Sequence, residues 1–314
     1  MSKILQITNE QAEEISKNTV VIIPTRNRPH LLEKIVDDVF GQTEKPGVLI
    51  IVDSSDTKSH IEQRSENSIQ VHHLYTNIQS AAIQRNLGLE FFYEHYSHIP
   101  YVAFLDDDVR ILPQYIETLT NFMRINAEYV GVSGIALGEE KKKFRNWATD
   151  LIGLTGEEGE ITKAAVNIPV RYKDSMKSID VSWLMGCSIW KASTIEKTRF
   201  ESDFLGASIF EDVIFSYSVM KKCKMKLAVL PSLTFEHELS SIGRPADYQY
   251  FSEWMSNRIV FQRLFPNDFP AISFYICNFA IGLLFVLSGM VRGFSSTKSG
   301  IGIIHSILRS VKRS

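Results

Sequence analysis

The stretch YVAFLDDDV, residues 101–109, runs an apolar segment straight into three adjacent carboxylates. Tyr101 to Leu105 read as a buried strand, and Asp106, Asp107 and Asp108 stand where it ends. Neighbouring carboxylates repel one another, and Arg110 is the sole cation in the residues that follow closely. In sheets covered by helices on both faces, ligands gather at the carboxyl ends of the strands. The cluster therefore marks a site if the neighbouring segments build such a sheet.

They carry the pattern of one. TVVIIP (19–24) and GVLIIVD (47–53) are continuous apolar runs, the second ending at Asp53, and SIQVHHLYT (68–76) is a weaker third strand. EYVGVSGIAL (128–137) is a fifth. Between them lie helical segments: PHLLEKIVDDVFGQ after Pro29, IQSAAIQRNLGLEFFYEHY despite Gly88 in its interior, and LPQYIETLTNFMRIN. Strands that are apolar throughout and alternate with helices predict a mostly parallel sheet flanked by helices, an α/β architecture. Residues 139–178 lose this pattern and read as a charged functional loop. Order returns with IDVSWLMGCSIWKAS, the helix FEDVIFSYSVMKKC, the strand KLAVLP and then LTFEHEL.

Composition bounds the rest. With 314 residues, 44% hydrophobic and 22% charged, the chain can bury a sizeable core. A net charge of -2 gives no support to a nucleic-acid partner. Cys187, Cys223 and Cys277 are scattered without metal-ligand spacing, which suits free thiols in a reducing compartment. The N-terminal residues are polar and acidic, with no apolar segment for secretion. Residues 270–291 carry no charge and are long enough for a bilayer core of ~30 Å. Arg292, Lys298, Arg309, Lys312 and Arg313 follow. A single span would carry these cations away from the cytosol, against the positive-inside tendency, whereas an interfacial segment keeps them at the cytoplasmic leaflet. A helix in a homo-oligomer interface is the alternative. Residues 247–265 join the two regions, with Arg258 snorkelling beside the apolar segment or serving the site.

The triple Asp admits three readings. One Asp could cap a helix, but three exceed that need. A hard divalent ion, Mg²⁺ or Mn²⁺, takes carboxylate ligands and shares them with substrate phosphates. Alternation along an extended segment would then turn Asp106 and Asp108 to one ligand and Asp107 elsewhere. A phosphatase of the haloacid dehalogenase type also uses Asp-x-Asp at a strand end. Its motif comes early in the domain and continues into Gly-Thr, whereas Val109 and Arg110 follow here.

VVIIPTRNRPHLLEKIVDDVFGQT, GVLIIVDSSDT, SAAIQRNLGL, YVAFLDDDV and FEDVIFSYSVMKK occur in this order between residues 19 and 237. Together they resemble glycosyltransferase family 2, including its bacterial rhamnosyltransferase-like members. The resemblance implies the GT-A fold over residues 1–240, followed by a helical, membrane-associating extension over 241–314. It implies inverting transfer of a sugar from a nucleoside-diphosphate-sugar to an acceptor hydroxyl of a glycan or lipid-linked acceptor. That work would belong to surface glycan synthesis at the cytoplasmic face of the membrane, and a donor-binding protein without turnover is the other class to weigh. Carried residue by residue, Pro24, Thr25 and Asn27 form the first nucleotide-binding loop, Asp53 contacts the base or ribose, and Arg85 borders the donor. Asp106 and Asp108 match the Asp-x-Asp motif, Asp108 as metal ligand and Asp106 nearer the ribose, with Asp107 as their neighbour. Asp212 matches the catalytic base, with Glu211 beside it. His237 completes the metal site, and Trp183 stands on the acceptor side. The helix dipole also accounts for acids at 211 and 212, and aromatic core packing accounts for Trp190.

Overall fold

The computed structural model describes residues 18–57, 69–137, 147–175, 177–202, 209–238, 247–292 and 294–312. Strands β1 (Thr19–Thr25), β2 (Val48–Asp53), β3 (Gln70–Tyr75) and β4 (Tyr101–Phe104) lie parallel in the order β3-β2-β1-β4. Every residue of β1 and β2 is buried, which is why neither shows apolar–polar alternation. Helices α1 (Pro29–Phe40), α2 (Ala81–His95) and α3 (Tyr115–Ile125) cover the faces. Gly88 sits in α2 because a Cβ there would meet Ile22 Cγ2 at 2.5 Å. The glycine lowers helix propensity but lets α2 settle against the sheet.

The second half of the sheet departs from the simple alternation. Beyond β4 come β5 (Val109–Ile111), β6 (Tyr129–Leu137), α4 (Trp147–Leu151), β7 (Ile179–Val181), β8 (Ser188–Lys191), α5 (Ala192–Ile195), α6 (Glu211–Cys223) and β9 (Lys226–His237). β8 inserts antiparallel between β4 and β6, so the fifth strand of the chain is not the neighbour of the fourth in space. The strand expected at KLAVLP runs on through LTFEH to His237. β9 continues through Pro231, and its pairing with β6 jumps from Ser133↔Val229 to Ile135↔Thr234. The register shift accommodates a residue that cannot donate to the ladder.

Residues 147–175 are built, not a loose loop. Gly153, Ala165 and Gly159 take positive φ, and Ala164, Ala165 and Val166 are buried. They pack with the last three helices, α7 (Asp247–Leu264), α8 (Ala271–Arg292) and α9 (Phe294–Val311). The same apolar cluster takes in Trp183, Phe210, Val213 and Tyr217, so the C-terminal helices share a core with the sheet domain. Arg258 does not snorkel. It is fully buried, stacks on the Trp254 ring at 3.9 Å, and donates to the Ala164 and Ala165 carbonyls. One face of α8 points away from this core: Ile272, Ile276, Phe279, Leu283, Leu287 and Met290 are exposed. Their spacing puts them on one stripe.

Candidate active site

A cavity of about 400 Å³ opens at the carboxyl ends of β1 and β4. Six chain segments line it: the loop from Pro24 to Arg28, the start of α2 with Arg85, the triple Asp, Gly186, the start of α6 and the end of β9. Gln84 stiffens its floor, its amide donating to the Thr25 carbonyl at 2.8 Å and to that of Val52 at 2.6 Å. Two adjacent strand ends are thereby fixed relative to each other.

The triple Asp is not extended. β4 stops at Phe104, and Asp107 and Asp108 lie in a turn before β5. The expected alternation, with Asp107 turned away, therefore does not hold, because a turn has no period of two. All three carboxylates line the cavity, and the division runs between Asp106 and the other two. One nitrogen of Arg28, Nη1, lies 2.9 Å from Asp107 Oδ1 and 3.0 Å from Asp108 Oδ2. Thr25 Oγ1 donates to the other oxygen of Asp107 at 2.8 Å. Burial pushes the Asp107 carboxyl up to about 6, against the pull of Arg28 and Thr25. Arg110 takes no part, since its guanidinium makes two 2.7 Å bonds to Asp38 on α1.

Asp106 belongs to a different network. Arg85, buried on α2, ion-pairs with both Asp106 and Glu211 and so joins the turn to the start of α6. Gly186 makes room, since a Cβ there would lie 2.7 Å from Asp106 Oδ2 and 3.2 Å from Arg85 Nη2. Asp212 is not among the ion-pair partners of Arg85, although the guanidinium charge opposes the effect of burial on its carboxyl. Its Oδ1 accepts from the Val213 N–H at 2.8 Å, and burial pushes its carboxyl up to about 6. Two neighbouring acids thus have different environments: Glu211 is committed to an arginine, and Asp212 is a carboxylate of raised basicity facing the cavity.

His237 Nε2 lies 3.0 Å from Asp108 Oδ1 across the mouth of the same cavity. Among the described residues no three His, Cys, Asp or Glu side chains converge at metal-binding distances. The donor set nevertheless fits a hard divalent ion, because such ions often take one or two protein carboxylates and complete their shell from phosphate and water. Asp108 with His237 provides two donors, and Asp106, its side chain 32% exposed, is a third on the same wall.

The profile of glycosyl transferase family 2 matches residues 20–184. The chain belongs to that family. It is 30% identical over 192 residues to the GalNAc(5)-diNAcBac-PP-undecaprenol beta-1,3-glucosyltransferase of Campylobacter jejuni, an alignment covering 59% of this chain and 55% of the relative. The chain spans about half the length of that curated relative. Its fold is similar to the crystal structure of GalNAc-T7 with UDP, GalNAc and Mn²⁺, with a TM-score of 0.52 at 12% identity over 79% of this chain and 51% of that one. The expected GT-A fold, with its Rossmann-like sheet and helical C-terminal region, is the one observed.

Within this family member, Pro24, Thr25, Asn27, Arg85, Asp106, Asp107, Asp108, Glu211, Asp212 and His237 all meet at one cavity. Two expected residues do not line it. Asp53 is fully buried at the end of β2, where it accepts from the Ser55 N–H at 2.7 Å and faces His73 Nε2 at 3.3 Å. It holds the turn after β2, as an Asp at a strand end readily does. Trp183 is packed in the core shared with the C-terminal helices, its Nε1 donating to the Ile168 carbonyl at 3.3 Å, and presents no face to the cavity. Sequence reading also passed over Arg28, Gln84 and Phe210. Arg28 carried a usable signal, being a cation one residue beyond the loop assigned to the nucleotide.

Proposed function

We propose that the chain is an inverting glycosyltransferase that moves a sugar from a nucleoside-diphosphate-sugar to an acceptor hydroxyl. The observation that carries this reading is the meeting, in one cavity, of the carboxylates after β4 with a carboxylate contributed by another segment, Asp212. Asp212 acts as general base. With a carboxyl at about 6 it is ionised at neutral pH and still basic enough to accept the acceptor's hydroxyl proton. The acceptor oxygen bonds to the anomeric carbon as the bond to the leaving diphosphate breaks, with inversion at that carbon. Arg28 and Arg85 present guanidinium groups to the cavity in which the diphosphate charge develops. A bound Mn²⁺ or Mg²⁺, held by Asp108 with Asp106 and His237, would supply Lewis-acid stabilisation of that charge.

The undecaprenol-linked substrate named for the Campylobacter relative supports a lipid-linked acceptor and a place in bacterial surface glycan synthesis. The apolar stripe of α8 agrees with this, since the helix is long and apolar enough to meet a bilayer and much of its surface is not buried by protein. In this reading residues 1–240 hold the site, and residues 241–314 rest on the cytoplasmic face of the membrane.

A panel of UDP-, GDP- and dTDP-sugars, each with and without Mn²⁺, tests the proposal by thermal shift and by sugar release. One donor should raise the melting temperature in the presence of the metal, because a ligand selective for the native state stabilises it by mass action. Asp108→Ala should abolish that metal-dependent increment. A flat panel, or an increment untouched by Asp108→Ala, would sink the reading.

A further inference from the structure

The C-terminal helices reach the rim of the cavity directly. Asn257 of α7 donates from Nδ2 to the Ile209 carbonyl at 2.6 Å. The next residue, Phe210, is held at φ +78°, in the left-handed region that a bulky L residue avoids. Its ring meets that of Phe261 edge-on, with centroids 5.6 Å apart. Asn257 and Phe261 are four residues apart on α7 and so share one face. Phe210 has no side-chain cap to offer α6, yet its carbonyl accepts the Ile214 N–H and begins that helix. Ile209, Phe210, Glu211 and Asp212 all line the cavity. A strained conformation persists only where its surroundings over-determine it. Here two side chains of another helix, Asn257 and Phe261, are part of those surroundings.

We propose that Asn257 and Phe261 are positioning residues for the carboxylates that open α6. By holding Ile209 and Phe210 in the left-handed turn, they set the direction in which Glu211 enters its pair with Arg85 and Asp212 faces the acceptor. The helix carrying them is fixed in turn from behind, where Ser252 and Ser306 hydrogen-bond at 2.9 Å between α7 and α9. The C-terminal helical layer is therefore part of the catalytic apparatus in this assignment, beyond any role at a membrane. The consequence for transfer rests on the function proposed above; the positioning itself does not.

The test uses the full chain and two variants, Asn257→Ala and Phe261→Leu, which removes the ring and keeps an apolar side chain. Amide exchange across residues 209–216 reads the position of the α6 start without needing activity. It should quicken about tenfold or more in both variants, while exchange in β1, β2 and β4 stays as in the wild type. With the donor identified by the nucleotide-sugar panel, kcat for transfer should fall about tenfold to a hundredfold while KM for the donor stays within about twofold, as expected for a displaced base. Unchanged exchange at 209–216, exchange that rises equally everywhere, or an unaltered kcat beside local loosening would each overturn the proposal. If the wild type transfers no sugar, the proposed function fails and the exchange measurement still decides whether α7 positions α6.

Discussion

Asp106, Asp107 and Asp108 occupy a turn at the end of a strand, whereas Glu211 and Asp212 open a helix on the other side of the same cavity. The first group is crowded with cations: Arg28 touches two of its members and Arg85 the third. Among the described residues the second has one cation in contact, Arg85, which ion-pairs with Glu211 and acts on Asp212 only through its charge. One bank is thus arranged to exchange ionic partners. The other holds Asp212, the carboxylate to which the proposed function gives the proton transfer. Arg85 belongs to both, and breaking it is the sharpest way to test whether the two banks are one device.

Arg85→Met should have the largest effect. It strands the buried Glu211 carboxylate, and breaking a buried pair from one side costs about 3–5 kcal/mol. Urea denaturation should show that loss at neutral pH, and activity should vanish in whatever protein remains folded. If stability barely changes, the network is not what joins the turn to α6.

Asp212→Asn should separate the banks. Donor-induced thermal shift survives, and kcat falls by about 10²–10⁴, the usual contribution of a general base. In the wild type the rate should rise tenfold per pH unit up to about 6 and then level off, because the base form predominates above that value. Stability has the opposite slope. The folded-state value for Asp212 is raised from 3.8, so the folded protein holds this proton more tightly than the unfolded chain. That contribution is fully present below about pH 4 and is lost as the pH rises through about 6. Asp212→Asn should therefore match the wild type below pH 4 and exceed it above pH 6 by on the order of 1 kcal/mol. Melting curves from pH 4 to 7 measure the crossover.

Arg110→Ala should do least. Its guanidinium is bidentate to Asp38 but partly exposed, so the cost should stay under about 1 kcal/mol with transfer unaffected. A large loss of activity would bring Arg110 back to the cluster it adjoins in sequence.

The difference between these arginines also shows what was legible in the chain. Strands β1, β2 and β4 could be read because burial on both faces leaves a continuous apolar signature, and their ends located the site. Nine of the site residues argued from the resemblance sit on segments adjoining those ends or the start of α6, where local pattern and motif coincide. What escaped was set by pairing across long stretches of chain. Nothing local in SIWK indicates that β8 slips between β4 and β6, or that β9 shifts register at Pro231. Arg110 is nearest the triple Asp in sequence, yet the cations that reach it come from residues 28 and 85, brought there by the loop after β1 and by a face of α2. Asp53 and Trp183 depart in the reverse direction, since neither lines the cavity. Their types suit ligand contact, but burial gives each a structural partner first.

The pairing of Arg28 with Asp107 and Asp108 has a consequence for how this cavity meets its ligand. The acidic turn arrives with its counter-ions already in place, so loading it is an ion exchange more than a neutralisation. Under the proposed function, a metal diphosphate would bring both signs of charge, its cation going to the aspartates and its phosphates to the released guanidinium. A bare cation would have to take Asp107 and Asp108 from Arg28, and a bare anion would draw Arg28 away and leave Asp107 to Thr25 and Asp108 to His237. Under the proposed function, the built-in arginine would make the turn favour the pair over either ion alone.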